Sequence, residues 1–147
     1  MRVAAGALAR QLLRVFGIET LGYVTSIGEL SVTTPAGSLA EHRSARDRSS
    51  VYTLAPERDV EFEQMIDRMA EEGDTVGGVM EVRVEGLPIG LGTHAQWDRK
   101  LDGRLAQAVM AVQAIKGVEI GLGFEAARRR GSQVHDPIRF DGSQRST

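Results

Sequence analysis

Residues 98–124 constrain the fold of this chain more than any other stretch of its sequence. Within residues 101–112, apolar side chains recur at intervals of three and four, which is the spacing of an amphipathic helix with one buried face. Asp98 and Asp102 lie at or near its start, where a carboxylate accepts hydrogen bonds from unpaired N–H groups at the positive end of the helix dipole. The pattern predicts a helix that begins near Asp98 or a few residues later.

The helical spacing ends at Gly117. Residues 118–120 then alternate apolar and acidic side chains before Gly121 and Gly123, which predicts a short strand flanked by glycines. Such glycines let a backbone approach a bulky ligand closely, and amides at a helix end favour anionic groups. Plain structural turns give the same spacing, so the pattern alone leaves a ligand site and a turn both open.

The rest of the chain shows both kinds of periodicity. Apolar side chains at helical spacing predict helices within residues 2–16 and 60–72 and a short helix at 125–130. Alternating side chains predict strands at 21–27 and 76–84. Helices and strands that follow one another in this order indicate an α+β fold.

Two segments lack a sustained period. Residues 31–58 contain Pro35 and Pro56 among many polar residues, which favours a variable surface excursion. Residues 137–147 favour a polar, poorly specified tail. Because the chain has 147 residues, 41% of them hydrophobic, it is long enough for one compact domain over residues 1–147.

The composition excludes several classes of protein. A net charge of -2 gives no basic field for a polyanion, so no nucleic-acid partner is expected. The absence of cysteine excludes disulfides, a thiolate nucleophile and cysteine-based zinc sites, and it is compatible with a reducing cytoplasm. Arg2, Arg10 and Arg14 interrupt the N-terminal stretch, which therefore does not resemble a signal peptide, and no apolar segment reaches membrane-spanning length. We expect a cytoplasmic protein without a membrane partner.

One short motif suggests a dinucleotide site. Residues 121–126 read Gly-Leu-Gly-Phe-Glu-Ala and fit the G-x-G-x-x-A pattern of dinucleotide-binding turns, with Asp141 about twenty residues further on. Against this interpretation, the strand before the motif is very short, a helix leads into it, and Asp141 falls in the predicted tail. The motif alone is weak evidence.

Basic and imidazole side chains offer further candidates. The three arginines at 128–130 suit bidentate binding of a phosphate or carboxylate, although a run of arginines on a short exposed helix is usually a solvated face. Imidazole groups exchange protons near neutral pH, so His135 is a candidate proton donor, while a surface histidine in a turn is the plainer interpretation. His42, His94 and His135 have no partners at metal-ligand spacing apart from Asp136, so no metal site is predicted.

Ordered motifs along the chain resemble the chorismate synthase family. The most specific is Ala108-x-Met110-x-x-Gln113-Ala114-x-Lys116-Gly117-x-Glu119-x-Gly121-x-Gly123-Phe124. The others are RVAAGA at residues 2–7, GDTVGGVMEV at 73–82, GLPIGLG at 86–92, RRRGS at 128–132 and His135-Asp136. Several separated motifs in one order make an accidental match improbable.

The resemblance implies an activity and a cofactor site. Family members are carbon–oxygen lyases of the shikimate pathway of aromatic amino acid biosynthesis. They convert 5-enolpyruvylshikimate 3-phosphate to chorismate by 1,4-elimination of phosphate with reduced FMN, and NADPH is left open as the reductant of the flavin. They form homotetramers of subunits in which helices are sandwiched between antiparallel sheets. By matched position, Gln113 and Ala114 correspond to the pair that contacts FMN, whereas no catalytic residue is carried over.

The resemblance covers nearly all of this chain but only the central part of a family member. The family's upstream flavin motif and catalytic histidines, and its downstream glycine-rich motif, have no counterpart here, and Pro137 stands where an acidic residue often follows His-Asp. We therefore expect a central segment of chorismate synthase that is inactive by itself and exposes apolar surface on the strand at 76–84. The alternative is a non-catalytic binding or assembly domain that keeps the scaffold.

Overall fold

The computed structural model describes residues 1–135, 139–140 and 145–146 and confirms the α+β fold class. The chain forms two compact units, Met1–Pro88 and Ile89–Thr147, which are described separately. The single domain expected over residues 1–147 stays a prediction.

The first unit contains the predicted helices and strands of the N-terminal half. Two of its helices end at glycines with left-handed backbone, Gly17 (φ 74°) and Gly73 (φ 70°), as helices commonly do. The strands form one antiparallel sheet in the order β2-β1-β3. Its elements are α1 (Arg2–Val15), β1 (Glu19–Ile27), β2 (Leu30–Ser31), α2 (Leu39–Arg48), a 3-10 turn (Pro56–Arg58), α3 (Asp59–Glu71) and β3 (Gly78–Glu85).

The core of this unit lies between the sheet and the segment that follows β2. Leu21 and Tyr23 on β1 pack with Leu39 and Leu54, and all four side chains are buried. The surface excursion predicted for residues 31–58 is therefore wrong. That segment contains α2, which begins with a capping box between Ser38 and Glu41, and it supplies six of the buried residues: Leu39, His42, Ser49, Thr53, Leu54 and Ala55.

Polar contacts attach α2 and the chain after it to β1. Arg43 donates to Glu19 over 2.6 Å, and Arg46 donates to the backbone oxygen of Gly22 over 3.2 Å. An irregularity in β1 after Val24 accompanies a 2.9 Å bond from the Val24 N–H to the oxygen of Tyr52. The side chains of Arg43 and Arg46 are only 29% and 20% exposed, so a helix with few apolar residues still covers a core.

The two faces of β3 have different surroundings. Glu81 lies on the same face as the core and accepts a 2.5 Å hydrogen bond from the Tyr23 hydroxyl, and Arg83 donates to the oxygen of Gly37 over 3.2 Å. On the other face, Met80 is 56% exposed and Val82 is 59% exposed. The apolar side chains of the strand are thus exposed, as expected from the sequence.

The second unit contains the helix predicted at residues 101–112, observed as α4 (Leu101–Met110) after a 3-10 turn at Trp97–Arg99. Near its start, the Asp102 carboxylate accepts from the N–H of Gly103 over 2.7 Å, and this bond lowers the pKa of Asp102. Further 3-10 turns follow at Gly123–Arg128 and Gly131–Gln133, and β4 (Arg139–Phe140) pairs antiparallel with β5 (Arg145–Ser146). Most of the predicted tail lies outside the described residues.

The strand predicted at residues 118–120 is wrong. These residues pair with no strand in the described part of the chain. Instead, the carboxylate of Glu119 accepts from the backbone N–H of Phe124 over 3.3 Å, so the segment folds back on its own glycines. In this segment a hydrogen bond between a side chain and the nearby backbone takes the place of the hydrogen bonds that a paired strand would make.

The capping box of α2 predicts an acid-sensitive element. The backbone N–H of Ser38 and the Ser38 hydroxyl both donate to the carboxylate of Glu41. These bonds, the backbone one most, lower the pKa of Glu41 below its ordinary 4.5. Because the folded-state pKa is depressed, the stabilisation is present above pH 4.5 and is lost as the pH falls through the lower folded value. In melting curves below that pH, wild type should lose more stability than Glu41→Gln. Glu29→Gln, in the exposed turn after β1, should follow wild type, and equal losses in all three proteins would contradict the prediction.

Candidate functional site

The turn at the end of α4 contains Gln113 and Ala114. After the helix, the N–H of Ile115 donates to the oxygen of Val112 over 3.3 Å and closes a four-residue turn. Ala114, the third residue of this turn, has φ 69°, in the left-handed region that glycine usually occupies. An alanine held there costs about 1–2 kcal/mol relative to right-handed backbone.

Strain of this kind often accompanies function. Among the described residues, the other non-glycine residue with positive φ is Tyr52 at 61°, and its carbonyl accepts from the N–H of Val24, which gives that conformation a structural reason. The turn that contains Ala114 is likewise closed by a backbone hydrogen bond, and both Gln113 and Ala114 are exposed. Since strained residues cluster at ligand sites, this turn is a candidate site on geometry as well as on sequence.

The chemistry of the turn suits a neutral polar ligand group. The Gln113 amide offers two donors and an acceptor, and the small side chain of Ala114 leaves its backbone approachable. The turn follows the C-terminal end of α4, where the helix dipole is negative. The expectation that helix-end amides favour an anion therefore does not hold at these two residues.

A concavity of about 520 Å³ lies further along the same unit. It brings together two of the predicted candidates, Arg129 and His135, with Ala126, Gln133, Val134 and residues 120–123 in its wall. Of the three arginines, only Arg129 lines it. Arg128 and Arg129 both pair with Glu125, at 3.3 and 3.5 Å. This carboxylate balances part of the positive charge, so the concavity is a weaker anion site than the sequence suggests.

The dinucleotide site is not supported by the geometry. The motif has no strand before it, and a side chain on Gly123 would collide with the Glu119 carboxylate. A carboxylate in contact with the glycine turn repels a pyrophosphate at the place where the motif would hold it. Asp141 lies outside the described residues.

A groove of about 440 Å³ in the first unit is mostly apolar. It runs between the end of α3 and the ends of the strands, and residues 74–78 of the glycine-rich motif form one side. Asp74 accepts from the N–H of Thr75 over 2.7 Å, so its carboxylate stabilises the turn. The lining of this groove is mostly apolar side chains, and its carboxylate is bound to the backbone of its own turn, so the groove is not a candidate polar site.

The part of the chain that the structure describes offers neither a metal site nor a membrane-spanning helix. Among the described residues, no three His, Cys, Asp or Glu side chains converge on a point where a metal ion would be held. His42 is buried and bound to the oxygen of Pro35 at 3.0 Å. No described helix is long and apolar enough to cross a membrane.

Fold and site together define an α+β scaffold that presents a strained, ligand-accessible turn at a helix end. The family model described as chorismate synthase matches residues 1–147, and the chain belongs to the chorismate synthase family. The chorismate synthase of Geobacter metallireducens is 52% identical over 144 residues, which are 98% of this chain and 37% of that protein. That of Brevibacillus brevis is 55% identical over 138 residues, 94% of this chain and 36% of the relative.

A solved structure supports the same relationship. A crystal structure of chorismate synthase superposes with a TM-score of 0.88 at 46% identity, over 98% of this chain and 46% of the other. The chain therefore spans little more than a third of the curated relatives and less than half of the solved one. Sequence reasoning missed the strain at Ala114, because alanine carries no signal for left-handed backbone.

Proposed function

We propose that this chain supplies the Gln113–Ala114 side of the FMN pocket of a chorismate synthase. The proposed reaction is the 1,4-elimination of phosphate from 5-enolpyruvylshikimate 3-phosphate to give chorismate, and it is a carbon–oxygen lyase reaction of the shikimate pathway. The observation that carries the proposal is the left-handed, exposed turn at Gln113 and Ala114, the two residues that correspond by resemblance to the family's FMN-contacting pair.

The residues of the turn fit the polar edge of a flavin. Gln113 has both donors and an acceptor for ring nitrogens and oxygens, and Ala114 lets the flavin approach the backbone. The negative end of α4 favours contact with the neutral ring over the phosphate. When bound, reduced FMN would supply the electron density that assists departure of phosphate. Gln113 and Ala114 would hold and orient the flavin. A cytoplasmic homotetramer, with NADPH as the source of electrons, belongs to the same proposal for the parent enzyme.

The test is a segment exchange. The 144 residues of this chain that match the Geobacter metallireducens relative, at 52% identity, replace the corresponding segment of that relative. With reduced FMN, the chimera should form chorismate within about tenfold of the relative's rate, a difference of about 1.4 kcal/mol in transition-state stabilisation.

The control is the intact Geobacter metallireducens relative, assayed under the same conditions. A chimera with the circular dichroism of the relative but without chorismate formation would contradict the proposed function.

A further inference from the structure

His42 is a buried imidazole that connects several elements of the first unit. It lies on α2, is 2% exposed, and is bonded through Nε2 to the carbonyl oxygen of Pro35 at 3.0 Å. Its other ring nitrogen, Nδ1, lies 3.4 Å from Nη1 of Arg83 on β3. The ring of Tyr23 on β1 packs against it edge to face, with 6.1 Å between the centroids. The imidazole therefore joins α2 and the turn before it to the sheet.

The two hydrogen-bond partners fix the protonation state of this ring. A carbonyl oxygen only accepts, so Nε2 of His42 must carry a hydrogen. A guanidinium only donates, so Nδ1 must be an unprotonated acceptor. The same Nη1 of Arg83 also donates to the oxygen of Gly37 over 3.2 Å, which holds the guanidinium beside the ring. These contacts select the neutral imidazole with its hydrogen on Nε2.

We propose that His42 is a pH-sensitive switch that attaches α2 to β3 only while its ring is neutral. A proton on Nδ1 removes the acceptor that Arg83 uses and sets an imidazolium against the guanidinium. Arg83 has another partner, because Glu85 on the same strand already pairs with it at 3.0 Å. Protonation therefore releases Arg83 towards Glu85, and the turn at Pro35 and Gly37 loses its connection to β3.

The groups that the sheet places near His42 act against a charged ring. Arg83 is in direct contact with Nδ1, and like charges at that distance repel. Tyr23 is neutral, and burial together with its bond to Glu81 raises the pKa of its hydroxyl. Both oxygens of Glu81 are already bonded, to Tyr23 and to Thr34. A buried ring without a negatively charged partner is costly to protonate.

One carboxylate acts in the opposite direction. Glu41 on α2 approaches the Nε2 side of the ring: a methyl group on Gly37 would lie 3.1 Å from Nε2 of His42 and 3.3 Å from Oε2 of Glu41. That oxygen already accepts two bonds of 2.8 Å from Ser38, so its charge is engaged at the start of α2. Residues 32–37 contribute no titratable side chain. Because Arg83 is in hydrogen-bond contact with the ring, its repulsion prevails.

The switch should make the stability of the chain depend on pH in the range where imidazole titrates. Histidine in an unfolded chain takes up a proton near pH 6.5. The folded chain keeps that proton off His42, so the unfolded state binds more protons and the free energy of unfolding falls with the pH. From about pH 7.5 to about pH 5.5, the ratio of unfolded to folded chain should rise up to about tenfold. This inference does not depend on the proposed function.

The first test compares urea unfolding of the whole chain at these two pH values. Both lie above the ordinary pKa of Glu41, 4.5, and its own pKa is lower still, so the capping box of α2 stays intact. Arg83→Met removes the guanidinium and keeps a long side chain, so the acid effect should shrink to about threefold or less. The matched control is Arg68→Met, at an exposed position of α3, and it should keep the wild-type effect.

The second test observes the tautomer directly in wild type, so it does not depend on the folding of a variant. In the nitrogen-15 spectrum at the higher pH, one histidine should show a protonated Nε2 and an unprotonated Nδ1. His42→Gln should remove this pair of signals, whereas His94→Gln, at an exposed position, should leave it. A hydrogen on Nδ1 of His42 at that pH would overturn the proposal, as would equal acid effects in wild type and Arg83→Met.

Discussion

Ala114→Glu in the segment-exchange chimera is expected to weaken FMN binding about a hundredfold, or about 2.7 kcal/mol, while helix content stays the same. Three effects act together. The longer side chain fills the space through which a ligand reaches the backbone, and its charge repels the phosphate-bearing flavin. A glutamate at the negative end of α4 is also disfavoured by the helix dipole.

Flavin titration measures the loss, and two variants isolate its cause. Gln107→Glu adds the same charge at an exposed polar position of α4 and should bind FMN as the parent chimera does. Ala114→Gly relieves the left-handed strain without adding volume, so it should keep FMN binding and raise the free energy of unfolding by about 0.5–1 kcal/mol. An unchanged titration for Ala114→Glu would remove this residue from the site.

Periodicity predicted the elements whose side chains alternate or repeat over many residues. Helices α1, α3 and α4 and strands β1 and β3 each show one period for seven or more residues. A repeated pattern of this length is difficult to produce by chance, because every position adds independent evidence for the same structure. These elements were found whether or not their apolar faces are covered, since α1 has no buried residue at all.

The missed elements depend on single contacts instead. Segment 31–58 reaches the core through isolated residues such as Leu39 and Thr53 and through arginine stems, none of which recur at a fixed interval. The alternation at residues 118–120 was too short to distinguish a strand from a turn. The hydrogen bond from the Phe124 N–H to the Glu119 carboxylate stabilises the turn. A periodic sequence pattern predicts an element whose residues alternate regularly between buried and exposed positions. These two regions are instead stabilised by contacts between individual residues, which leave no periodic pattern.

The candidate site shows the same division. Gln113 and Ala114 were identified by resemblance, and the helix before them by periodicity. The left-handed conformation of Ala114 required the structure, as did the placement of Arg129 and His135 in one concavity. All residues that are buried in the described part of the chain belong to the first unit. FMN binding at Gln113 and Ala114, on the second unit, is therefore best tested in the chimera. Substitutions that test the stability of the isolated chain are best placed in the first unit, where its buried residues lie.

Phe62→Ala should remove most of the stability of the first unit. Phe62 is 0% exposed on α3, and the guanidinium of Arg58 lies 5.7 Å from its ring centroid. Arg58 also donates to the backbone oxygen of Ser31 over 2.7 Å, so the arginine links α3 to β2 across this ring. Truncation leaves a cavity and removes the cation–π contact, and core Phe→Ala changes cost about 3–5 kcal/mol.

A loss of this size approaches the lower limit of the whole stability of a small domain, which is about 5–15 kcal/mol. Urea unfolding followed by circular dichroism should therefore show a much lower midpoint for Phe62→Ala. Phe16→Ala is the matched control, because Phe16 belongs to the same unit and is 70% exposed, and its effect should stay within about 0.5 kcal/mol. If both changes lowered the midpoint equally, Phe62 would not be a core residue, and the attachment of α3 to the sheet would depend on the polar contacts of Arg58 alone.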